Sequence, residues 1–82
     1  MLVYDVQMPL PWLEGEELAR WCRSNGIEPH DTYRIEIDEQ AMTALIYQYK
    51  LNEQGAKYMD IETRKVAKKE PFEIKITSLP DL

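Results

Sequence analysis

The chain has little of what catalytic and metal-binding sites are usually built from. Its 82 residues include one cysteine, Cys22, and one histidine, His30. A lone cysteine excludes an internal disulfide and a CxxC metal knuckle, and it fits a reducing compartment. A lone histidine excludes His-His and Cys-His ligand clusters within one copy. The three glycines, Gly15, Gly26 and Gly55, are isolated, so there is neither a P-loop nor a GxGxxG fingerprint. No cofactor and no metal are expected. No apolar run approaches the roughly 18–20 residues that span a bilayer. The stretch MLVYDVQMP lacks the basic region and apolar core of a signal peptide. The expectation is a soluble cytoplasmic protein that does not act on membranes.

What is present suffices for one small core. At 82 residues the chain reads as a single domain, 1–82. A domain this size buries roughly 60% of its unfolded surface, so its net stability is of order 5 kcal/mol. Hydrophobic residues make up 44%, and the eight aromatics are spread along the chain, which argues against disorder. The net charge of −5 is uneven. Residues 1–40 carry nine carboxylates against three arginines, a net of −6, and residues 41–82 carry seven Lys/Arg against six Asp/Glu. An acidic half repels phosphate backbones, so general nucleic-acid binding is disfavoured but not excluded.

Local patterns then set the elements. Leu2, Tyr4 and Val6 alternate with Val3 and Asp5, a short strand that Pro9 and Pro11 stop. The clearest helix spans 14–25. Glu14, Glu16 and Glu17 sit in its first turn and Arg20 and Arg23 in its second half, complementing the dipole. Leu18, Trp21, Cys22 and Asn25 form its apolar stripe. Gly26 suits the left-handed position after the helix, with Ile27 folding back on the last turn. Trp12 or Leu13 is placed to staple the approach onto Leu18 or Trp21.

Beyond a loop at Pro29-His30-Asp31, Tyr33, Ile35 and Ile37 alternate with Arg34 and Glu36, a half-buried strand. In 42–51 Leu45, Tyr47, Tyr49 and Leu51 share one face, and Met42, Ala44 and Ile46 the other. Asn52 to Gly55 reads as a hairpin loop, and residues 56–61 as a returning sheet strand. Arg64 to Glu70 reads as an exposed loop or edge. Phe72, Ile74 and Ile76 mark a last strand opened by Pro71. The fold class expected is α+β in two layers: one helix on a mostly antiparallel sheet of four or five strands, β-α-β-β-β-β.

No catalytic constellation emerges, and the chain reads as non-enzymatic. Cys22 falls on the apolar stripe near the helix C-terminus, which favours an inert buried thiol over a nucleophile. His30 reads as a surface loop residue; a general base would need a pocket. The carboxylate pairs Glu36/Asp38 and Asp38/Glu39 read as solvated charges. Two surfaces have functional readings. One helix of about 12 residues spans about 18 Å and covers only part of a sheet. Leu45, Tyr47, Tyr49 and Leu51, joined by Trp12, are therefore the candidate interface, for a homodimer or another protein. The alternative is that neighbouring segments wrap that face. The basic run Arg64, Lys65, Lys68 and Lys69 is a candidate anion or nucleic-acid contact, or it protects a sheet edge.

In its order of elements the chain resembles short uncharacterised proteins encoded by phages of actinobacteria. The resemblance rests on MPLPWLEGEELARWCRSNGI, DTYRIEID and YKLNEQGAKYMDIETRKVAKKEPFEI. It implies a small accessory protein, made in a bacterial cytoplasm during infection, that acts by binding itself or a host or phage protein.

Overall fold

A computed structural model describes residues 1–6 and 15–80. Pro9, Pro11, Trp12 and Leu13, and with them the expected strand stop and helix staple, lie outside the described residues. A four-stranded antiparallel sheet has the order β1 (Leu2–Asp5), β2 (Thr32–Asp38), β3 (Thr43–Gln48), β6 (Phe72–Lys75). A second, two-stranded sheet pairs β4 (Met59–Asp60) with β5 (Lys65–Val66). Among the described residues the helix α1 (Gly15–Ser24) supplies the other layer, and a 3-10 turn covers Pro29–Asp31. This is a small α+β fold.

The helix is held mainly by burial of its stripe. Leu18, Trp21 and Cys22 are buried against Ile35, Ile37, Ala44 and Ile46 of the central strands. Fully burying one such aliphatic side chain contributes about 1.5–3 kcal/mol. The helix ends in a Schellman arrangement. Gly26 adopts φ +75°; the Ile27 N–H donates to the Cys22 carbonyl and the Gly26 N–H to that of Arg23. That turn drives Ile27 into the core. Two further bonds tie the helix end to the chain after β6. Trp21 Nε1 donates to the Ser78 carbonyl at 2.8 Å, and the Thr77 N–H donates to Asn25 Oδ1 at 3.1 Å. The polar member of the stripe, Asn25, thus serves as a clamp.

Register decides which face is which. Leu2 and Tyr4 sit opposite Ile37 and Ile35, and Ile35 and Ile37 sit opposite Ile46 and Ala44. These residues line the helix side. Leu45, Tyr47, Arg34, Glu36, Val3 and Asp5 alternate onto the outer side.

Two sequence expectations are overturned. Tyr33 does not share a face with Ile35 and Ile37. A bulge between Thr32 and Arg34 inserts one residue into β2, and Tyr33 comes out on the outer side, its ring against Tyr47 and Tyr49. Thr32 instead faces inward, where its hydroxyl accepts from buried Gln48 Nε2. Residues 56–61 do not return as a strand of the main sheet. The place beside β3 goes to β6, and to residues 67–69 alongside the end of β3. There the Lys50 N–H donates to the Ala67 carbonyl and the Lys69 N–H to that of Gln48. The physical reason is apolar pairing: β6 offers Ile74 opposite Ala44 and Phe72 opposite Ile46, whereas Met59 and Asp60 pair with Val66 and Lys65.

Candidate functional site

Cys22, His30 and Asp38, the candidates for nucleophilic or acid–base chemistry weighed from sequence, each make separate local contacts. Cys22 is buried in the core, and burial pushes its thiol up to about 11 despite nearby Arg23. His30 is exposed; its backbone N–H donates to Glu28 Oε1, and its carbonyl accepts from Lys57 Nζ. Asp38 caps the turn after β2, accepting from the Gln40 and Ala41 N–H groups. Among the described residues no three His, Cys, Asp or Glu side chains are grouped to hold a metal. The hollow between α1 and the chain after β6, about 350 Å³, is lined by Glu17, Arg20, Trp21, Ser24 and Leu79 and opens to solvent.

The outer sheet face is built in two halves. On one, Arg34 bridges two carboxylates, with Nη1 at 3.0 Å from Asp5 and Nη2 at 2.8 Å from Glu36. Register produces this, since Asp5 lies directly opposite Arg34 and Glu36 is two residues further along the same face. The Tyr47 hydroxyl donates to Glu36 Oε1 at 2.8 Å. The Arg34 bond, and then that of Tyr47, hold the Glu36 carboxyl below its ordinary range. The bond to Glu36 in turn raises the Tyr47 hydroxyl.

On the other half Tyr33 and Tyr49 meet at 4.7 Å between ring centroids. Lys68 Nζ lies 5.0 Å over the Tyr33 ring and Lys57 Nζ 5.2 Å over that of Tyr49, within cation–π range.

Of the expected interface residues, Leu45, Tyr47 and Tyr49 are half-buried on this face, and Leu51 is exposed at the start of the following loop. Trp12 lies outside the described residues. The structure adds Tyr33 and partly covers the tyrosines with lysine stems. The basic run is divided. Lys68 stands on the tyrosines, strand alternation turns Lys69 to the opposite side, Lys65 lies in β5, and Arg64 occupies the hairpin turn at φ +57°.

A further surface was missed by the sequence reading. The β4–β5 hairpin exposes Ile61 (91%), Met59 (65%), Tyr58 and Val66. Its turn is closed by the Arg64 N–H to the Asp60 carbonyl and the Glu62 N–H to Asp60 Oδ1. Its strands pair with each other, and its base joins the end of β3 through Ala67, whose N–H donates to the Tyr58 carbonyl and whose carbonyl accepts from the Lys50 N–H. Reading 56–61 as a strand of the main sheet left no separate hairpin for these side chains to occupy. Asp60-Ile61-Glu62-Thr63 reads from sequence as a turn or short excursion, as the structure has it; that the turn sets an isoleucine at an exposed tip does not follow from the sequence. No family model, curated protein or solved structure matches the chain.

Proposed function

We propose that this protein is a small non-enzymatic interaction module that acts by binding another protein through the β4–β5 hairpin. The observation carrying this reading is the near-complete exposure of Ile61 beside Met59 and Val66 on the β4–β5 hairpin. An isolated two-stranded hairpin is marginal in water, and apolar side chains grouped at its tip favour a docked state. The outer tyrosine face lies next to it through Tyr49 and Lys68, which form a bridge pair. In line with the phage resemblance, the setting proposed is a bacterial cytoplasm, with a host or phage protein as partner.

A photo-crosslinking amino acid at position 61, in producing cells, should yield a discrete adduct that the same group at exposed position 53 does not. Equal, diffuse labelling at both positions would refute the reading. A second reading is favoured by the two lysines set over Tyr33 and Tyr49, since single-stranded nucleic acid binds by stacking beside cations. It requires oligonucleotide binding that weakens steeply with salt and is lost on replacing Lys57 and Lys68 by alanine.

A further inference from the structure

The outer edge of β6 is a second exposed feature, separate from the hairpin. Among the described residues nothing pairs with that edge. Its hydrogen-bonding phase follows from one bond and the register. The Ile76 N–H donates to the Met42 carbonyl, and Ala44 and Ile46 lie opposite Ile74 and Phe72. Antiparallel ladders alternate, so the main-chain groups of Phe72, Ile74 and Ile76 point into the sheet. Those of Glu73 and Lys75 point out of it, as a ready template for another strand.

The residues on this edge are self-complementary. A second copy related by a two-fold axis pairs antiparallel, with outward main-chain groups facing outward main-chain groups. Within β6 only three registers satisfy that. Glu73 opposite Glu73 and Lys75 opposite Lys75 each set like charges together, which is destabilising. The third sets Glu73 of each copy opposite Lys75 of the other, with the axis at Ile74. Glu73 and Lys75, both exposed, then form two cross-strand ion pairs on the outer face. On the helix side Ile74 meets Ile74, and exposed Phe72 lies opposite Ile76, which its own core already buries. Such a contact is isologous, as two-fold dimers require. We infer that two copies of the chain associate through the β6 edges in this register, joining the two four-stranded sheets into one of eight strands.

Charge reversal with rescue tests this. Sedimentation equilibrium over a micromolar-to-millimolar series should show the wild-type mass rising from 9.7 kDa towards twice that value. Glu73→Lys and Lys75→Glu should each weaken the dimer by about tenfold or more, because each sets like charges opposite one another. The double variant, with both reversals, should restore it. Wild-type Glu73 and Lys75 amides should also exchange more slowly as concentration rises. Ile61→Glu should leave the dimer intact, which separates this contact from the hairpin. A monomer mass throughout, a dimer indifferent to the single reversals, or a double variant no better than the singles would each overturn the inference. Far-UV circular dichroism of each variant confirms that its fold is retained.

Discussion

Replacing Gly26 by alanine isolates the cost of one backbone conformation. Gly26 ends α1 at φ +75°, and a Cβ added there meets nothing within 4 Å. No clash therefore contributes, and only the left-handed conformation does. That conformation costs an L-residue about 1–2 kcal/mol, while alanine recovers part of this by restricting the unfolded chain, about 0.4–1 kcal/mol. The expected net loss is about 1 kcal/mol, or a drop in Tm of about 4–8 °C for a domain of this size. It should be read by urea titration and thermal melts followed at the helix band. Gly26→Asn should lose clearly less, since asparagine enters the left-handed region more readily. Gly55, at φ +76° with equally open surroundings, lies in a loop closed by bonds from the Gly55, Gln54 and Ala56 N–H groups to Asn52, so alanine there should carry a similar cost. Equal losses for alanine and asparagine at position 26, or no loss for either, would refute the conformational account. A loss above about 3 kcal/mol would refute the claim that the site is sterically open.

Glu36 should govern part of the acid response. Its folded pKa lies below the ordinary value because Arg34 and Tyr47 bond the carboxylate. Its contribution is therefore present above the unfolded pKa and lost as pH falls through the folded one. Glu36→Gln should flatten stability against pH below about pH 5 and cost about 1 kcal/mol or less at neutral pH, as partly exposed pairs do; an unchanged acid slope would contradict this. Cys22, with its thiol at about 11 and buried, should react with a thiol reagent at pH 8 only as fast as the protein opens. Reaction at the rate of a free thiol would show that the helix does not cover it.

The readable parts of the sequence were those where one local rule settled the outcome. Glutamates before arginines and a glycine after the stripe marked α1 and its Schellman end, because capping depends on a few consecutive residues. Alternation in Ile35/Ile37, Ala44/Ile46 and Ile74/Ile76 marked the strands, because a half-buried sheet repeats every second residue. The burial of Cys22 followed from its place on the stripe. Tyr33 was misread because alternation assumes a regular strand, and a bulge shifts the phase by one. The Arg34 bridge was hidden for a related reason: Asp5 and Arg34 are 29 residues apart, and only strand register makes them neighbours.

The helix and its end, the three longer strands after it, the inward aliphatic residues and the inert placement of the thiol were legible from local pattern, because each depends on side chains within a turn or a strand of one another. Only the tertiary structure decided which segment fills the place beside β3. That was a competition between Met59-Asp60 and Phe72–Lys75 for one edge, won by the segment that sets Phe72 and Ile74 against Ile46 and Ala44. The same outcome left Ile61 exposed at a hairpin tip and the Glu73–Lys75 edge open, so both proposed contact surfaces come from a long-range pairing that no local window contains.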